Sequence, residues 1–310
     1  MILLHTGHEH LPKAESFIDF LRYWDSAPYI VIPIALAATL YLAGRWRLGR
    51  RTKHARPRIL RDFLYLAGIL ALVLALLSPI DVYAGDLFFM HMIQHLLLLM
   101  AAPPLLQLAN PMSRILWAFP RGIRRLIGGT LNRAGVLRLA IQGVTAPLIA
   151  WLIFVVTIWV WHTPAPYNAA LNSEGMHVLE HLTMFGAALI FWWPVIGPAP
   201  VRSRMPHPLR FLYLFLALFQ NIILGAILTF AQGPVYSYYE GTPDHWGIDS
   251  GLDQQLGGVL MWIPGTMMYF SALALLFFAW LEQEERRAAQ LQEMEETRRR
   301  HLARTRKKSA

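Results

Sequence analysis

The chain has 310 residues and not one cysteine. That absence removes disulfides, thiolate metal sites and cysteine nucleophiles at once. Charge is sparse, at 15% of residues, and acidic groups are the scarcer kind, 19 Asp and Glu against 28 Lys and Arg. A phosphate-cradling loop, a nucleophile elbow and a His-Glu-x-x-His helix are all missing, so the common signatures of nucleotide, acyl and zinc-protease chemistry do not occur.

What the chain has is apolar length. It is 55% hydrophobic with mean hydropathy +0.39, and the apolar residues fall in blocks of about 18 to 25, enough to cross a bilayer core as helices. Strands of a barrel would be about half as long. The expectation is an all-α, polytopic membrane helix bundle with seven transmembrane helices, near residues 28–43, 63–80, 87–108, 146–161, 176–196, 211–230 and 253–280. A net charge of +9 does not imply nucleic acid, because the arginines cluster in loops at the ends of these blocks. Of the 28 Lys and Arg, only Lys13 and Arg22 fall on the other side, which predicts the N-terminus outside and the C-terminus cytoplasmic.

Three regions follow from that threading. Residues 1–27 form an extracytoplasmic segment with a short interfacial helix around Phe17, Ile18, Phe20 and Trp24. His5, His8 and His10 there read as a solvated end, not a metal site, since an exposed terminus holds no geometry. Residues 28–281 are the seven-helix domain. Within it Pro103-Pro104 predicts a kink, and 110–140, mixing Arg121, Arg124 and Arg125 with Trp117, Phe119 and Leu126, predicts an amphipathic helix on the cytoplasmic face. Residues 282–310 are a charged helical tail with Glu282/Arg286, Glu295/Arg299 and Glu296/Arg300 at i,i+4.

Polar side chains inside a span need a partner or a purpose. His91 and His95 stand one helical turn apart, as do His177 and His181. Threaded as above, both pairs enter from the outer side to one depth. His162 ends the fourth span and Asp253 starts the seventh at the same level. Such i,i+4 pairs can chelate an ion from one helix. His91, His95, His162, His177, His181 and Asp253 are therefore candidate metal ligands, with Glu180 and Gln94 as orienting partners. Imidazole suits copper, zinc, iron or nickel, and Met90, Met92, Met176 and Met184 lean weakly towards Cu(I). With no thiolate relay available, an ion would arrive from the outside.

The residues also resemble a known family. His91-Met-Ile-Gln-His95, Trp159-Val-Trp161-His162-Thr-Pro164, Tyr167-Asn-Ala-Ala-Leu171, His177-Val-Leu-Glu-His181, Phe191-Trp-Trp-Pro194 and Asp253-Gln-Gln-Leu-Gly-Gly258 are similar to CtaG, the multi-span cytochrome c oxidase assembly factors associated with caa-type oxidases. The resemblance covers roughly residues 28 to 281. It implies a non-enzymatic assembly factor in a bacterial cytoplasmic (inner) membrane. Such a factor would take copper from a periplasmic donor and deliver it to the buried copper centre of the oxidase catalytic subunit. Read from the residues alone, two other classes stay open. One is an intramembrane zinc-dependent hydrolase with Glu180 or Asp253 as base. The other is a haem-binding electron carrier, which i,i+4 pairs suit less well.

Overall fold

A computed structural model of the chain describes residues 21–51, 59–131, 135–203 and 205–308. His5, His8 and His10, the expected interfacial helix up to Phe20, and Lys53, Arg56, Arg58, Arg133 and Arg204 lie outside the described residues. Among those described, the fold is all-α. Six helices are long and apolar enough to cross a membrane, or seven if one bent pair counts as a single span.

The first, α1 (Pro28–Arg51), is followed by α2 (Ile59–Leu76) and a short α3 (Pro79–Ala84). Ser78 caps α3, its Oγ accepting from the Ile80 amide at 3.2 Å, with Pro79 at the first helical position where no N–H is needed. Next come α4 (Phe88–Leu96), a π-helical turn at Leu97–Ala101 and α5 (Ala102–Ala109), which together form one 22-residue span. Where the proline kink was expected, the helix widens into a π turn. Pro103 and Pro104 cannot donate to the carbonyls four residues back, so the Ala102 amide reaches to Leu97 O, and the Leu99 carbonyl accepts from Trp192 Nε1 at 3.0 Å.

The expected amphipathic helix over 110–140 is three separate helices: α6 (Met112–Ala118), α7 (Arg121–Thr130) and α8 (Val136–Val144). Pro120 forces extended backbone between α6 and α7. Residues 136–140 belong to α8, which meets α9 (Pro147–Trp161) at 61°. At 15 residues and roughly 22 Å, α9 is too short to cross alone, so the expected fourth span counts as one only if α8 and α9 are taken together. After α10 (Pro164–Leu171) come the long α11 (Glu174–Ile196) and α12 (His207–Phe230), then two 3-10 turns (Ser237–Tyr239 and Pro243–Trp246) in the connection to α13. That last helix runs unbroken from Ser250 to Lys308, so the charged tail continues the final span; Arg286 pairs with Glu282 at 2.6 Å and Arg287 with Glu284 at 3.3 Å along it.

Close contact between α12 and α13 fixes the frame. A Cβ on Gly258 would stand 2.6 Å from Thr229 N, and one on Gly225 would stand 2.9 Å from Trp262 N, so these two glycines let antiparallel backbones touch. The centre of the bundle is α4, which packs on α13, α3 and α2, while the π turn that continues it packs on α11. Phe154, Phe191 and Tyr213 stack below it, with ring centroids 4.1 and 4.9 Å apart. Helix ends of opposite character result: one carries Arg45, Asp62 and Arg114, the other carries the histidines.

Candidate metal centre

The start of α4 positions the first pair. Its first turn lacks a side-chain cap from Leu87, and Asp253, in the first turn of α13, supplies one across the bundle. The Phe88 amide donates to Asp253 Oδ2 at 2.7 Å and the Phe89 amide to Oδ1 at 3.1 Å, so both carboxylate oxygens meet orphan donors at the positive end of the helix dipole. Asp253 was expected as a ligand, and its contacts give it a capping role. It is not among the groups that gather at the histidines; it holds the helix that carries two of them. Gln94 is also engaged elsewhere. Its amide donates to Ala75 O at 2.8 Å and to Asp81 Oδ1 at 2.5 Å, on the face of α4 turned towards α2 and α3.

The five histidines meet. Ring centroids lie 4.4 Å apart for His91 and His95, and 4.2 Å for His177 and His181, the within-helix pairs. Across helices, His91 is 5.3 Å from His177 and 5.8 Å from His181, while His95 is 5.7 Å from both His181 and His162. All but His177 are buried, His91 completely. His95 and His181 therefore face the same volume.

Glu180, expected as an orienting group, sits in the middle. Its Oε2 is 3.7 Å from His91 Nε2 and its Oε1 is 3.6 Å from His95 Nε2. Both contacts exceed hydrogen-bond length, and neither oxygen has a hydrogen-bond partner. His91 Nε2, both ring nitrogens of His95, His162 Nε2 and His181 Nε2 are likewise buried without one. Single ligating atoms of His91, His177, Glu180 and His181 all lie within 4.8 Å of one another. Donors sharing a tetrahedral ion with bonds of roughly 2.0 Å stand about 3.3 Å apart. The histidine–carboxylate distances are close to that spacing.

The outward-facing ring nitrogens are fixed by a shell that the sequence did not single out. His162 Nδ1 is 2.8 Å from Ile158 O. A carbonyl only accepts, so in the neutral ring Nδ1 carries the proton and Nε2 is a bare lone pair. Tyr236 donates to His162 O at 3.0 Å and anchors the residue from the other side. His91 Nδ1 lies 3.0 Å from Tyr167 Oη and 3.2 Å from Tyr239 Oη, and Tyr239 donates onward to Ala84 O at 2.6 Å. The chain 231–250 is tied down over the cluster by Gln254, whose Oε1 accepts from Val235 N and whose Nε2 donates to Gly233 O, and by Asn168, which bonds Ser237 and Tyr238. Met92 and Met184 are hydrophobic core, and Met90 packs with Val82 and Tyr83.

A family model described as "Cytochrome c oxidase caa3 assembly factor" matches residues 39–283. The chain belongs to that family. All five clustered histidines and Glu180 fall inside the matched stretch of the caa3 assembly factors. The chain is also similar to uncharacterised proteins of three mycobacteria. It is 25% identical to one from Mycobacterium leprae over 285 residues, covering 90% of this chain and 42% of that protein. To those from Mycobacterium bovis and Mycobacterium tuberculosis it is 25% identical over 286 residues, covering 91% of this chain and 43% of each. The chain thus spans less than half the length of the curated relatives it matches. No solved structure matches it.

Within the assembly-factor family assignment, Tyr167 and Tyr239 are the site residues that sequence reasoning passed over. Tyr167 lay inside a recognised motif, Tyr-Asn-Ala-Ala-Leu, which was a signal. Tyr239 had only its place in a tyrosine-rich connection.

Proposed function

We propose that this assembly factor binds copper in the histidine cluster and presents it, at the extracytoplasmic side of a bacterial inner membrane, to the copper centre of an oxidase catalytic subunit. The observation that carries the proposal is the set of buried donors without hydrogen-bond partners: imidazole nitrogens of His91, His95, His162 and His181 and both oxygens of Glu180. Leaving even one buried polar group unmet costs about 1 to 3 kcal/mol, and these stand together in one volume. Bound metal would satisfy donors that no protein group reaches. The donor set, imidazoles and one carboxylate with no thiolate, suits copper or zinc, and the service of a haem–copper oxidase favours copper.

The residues divide the work. His91, His177, His181 and Glu180 supply a four-donor set, Tyr167 and Tyr239 hold the His91 ring from its far nitrogen, and Asp253 fixes the start of α4. Imidazole-to-imidazole exchange would pass copper to a histidine-bound centre without exposing a bare ion to hydrocarbon. The basic residues gathered at the opposite end of the bundle support this orientation, with the long end of α13 on the cytoplasmic side.

The deciding experiment is metal analysis of the detergent-purified full chain beside a His91→Ala/His95→Ala variant. Copper retained by the unsubstituted protein and lost from the variant, with thermal unfolding unchanged in the metal-free forms, is the expected outcome. Failure of the intact protein to bind copper or zinc overturns the proposal. Zinc with ester or amide turnover would move the assignment to a hydrolase.

A further inference from the structure

The cluster has more donors than one ion takes. The four that come within mutual reach, on His91, His177, His181 and Glu180, are as many as a tetrahedral ion takes. His95 and His162 remain. They are 2% and 5% exposed, their rings are 5.7 Å apart, and His95 Nδ1 and Nε2 and His162 Nε2 have no hydrogen-bond partner. A polar network built only for packing would have satisfied these atoms, as Gln94 Nε2 is satisfied on the opposite face of α4 by Ala75 O and Asp81 Oδ1.

Glu180 faces both groups with different atoms. Oε2 is the oxygen near His91 and Oε1 the one near His95. A carboxylate so placed can bridge, each oxygen serving a different ion, and paired ions in such sites stand roughly 3.5 to 4 Å apart. The His181 ring stands 5.8 Å from His91 and 5.7 Å from His95, on the boundary between the halves. The His162 proton, held on Nδ1 by Ile158 O, leaves Nε2 ready to ligate without any change of tautomer.

We propose that the cluster is a two-ion site, with a second copper position at His95 and His162 bridged to the first through Glu180. This rests on the copper-binding reading above. With three protein donors, the second position keeps one place open, the coordination of a site that exchanges its occupant, while the four-donor position is closed.

Stoichiometry tests it. The full chain is loaded with Cu(II) in detergent, freed of excess and analysed for copper per chain, and electron paramagnetic resonance is recorded on the same sample. The expected result is two equivalents per chain with a signal weakened or split by magnetic coupling. His162→Ala should reduce this to one equivalent and restore the signal of an isolated Cu(II). One equivalent in the unsubstituted chain, whichever histidine it depends on, overturns the two-ion inference and leaves the copper proposal standing. No copper at all overturns both. Two equivalents that fall to one when His5, His8 and His10 are replaced by alanine, with the cluster intact, also overturn it.

Discussion

At the arginine-rich end of the bundle, Asp62 accepts from Tyr41 Oη and from Arg45 Nε, each at 2.8 Å, with Arg114 at 3.4 Å. At the histidine end, Glu180 accepts from nothing, although imidazole nitrogens stand 3.6 and 3.7 Å away. Both carboxylates lie within the helical bundle, on α2 and α11. One is neutralised by two guanidiniums and a hydroxyl and joins α1, α2 and α6 into a closed unit. The other faces imidazole nitrogens that stand too far away to donate to it. Satisfaction marks a structural network, and shared dissatisfaction marks a place for a missing cation.

Two substitutions break this comparison if it is wrong. Glu180→Gln keeps the size of the side chain and removes the anion. Copper affinity should fall by at least about 100-fold, since even groups behind the ligands are worth 10 to 100-fold, while the metal-free protein unfolds within about 1 kcal/mol of the original. Competition with a copper chelator reads the first and thermal denaturation in detergent the second. A metal-free Glu180→Gln protein that is strongly destabilised would make Glu180 structural. Asp62→Ala should do the reverse. It should cost about 2 kcal/mol of stability, short of the ~3 to 5 kcal/mol for a fully buried pair because Arg45 is half exposed. Copper affinity should not move. A loss of copper in Asp62→Ala with the fold intact would show that the two ends are coupled.

The spans and the histidine convergence were legible because each depends on local repetition. Apolar blocks of bilayer length mark helices, and an i,i+4 spacing puts His91 with His95 and His177 with His181 on one face whatever else the chain does. Glu180 was legible as a neighbour, since it lies three residues after His177 and so close to the same face, but its central place depended on which way α11 is rotated. The double proline was read as a kink because its effect depends on a donor 89 residues away from Pro103: Trp192, in α11, is what completes the Leu99 carbonyl. The shortness of α9 escaped in the same way. Its apolar run looked like a whole span, but the helix is 15 residues long and meets α8 at a 61° bend.

Asp253 is where sequence and structure diverge most usefully. A carboxylate at the level of five imidazoles invites assignment as a ligand, but its oxygens are engaged 165 and 164 positions back in the chain, by Phe88 N and Phe89 N. Asp253→Asn separates the two readings. The amide keeps one acceptor oxygen and loses the other, along with the negative charge at the N-terminus of α4, so stability should drop by about 1 kcal/mol. His91 is only one turn further along α4, and a loosened first turn should weaken copper binding by no more than about 10-fold, the lower edge of what groups behind the ligands contribute. The number of copper ions per chain should stay the same. A loss of about 100-fold or of a whole equivalent, with unfolding unaltered, would return Asp253 to the ligand set; a loss of stability with copper retained leaves it as the residue that sets where the histidine helix begins.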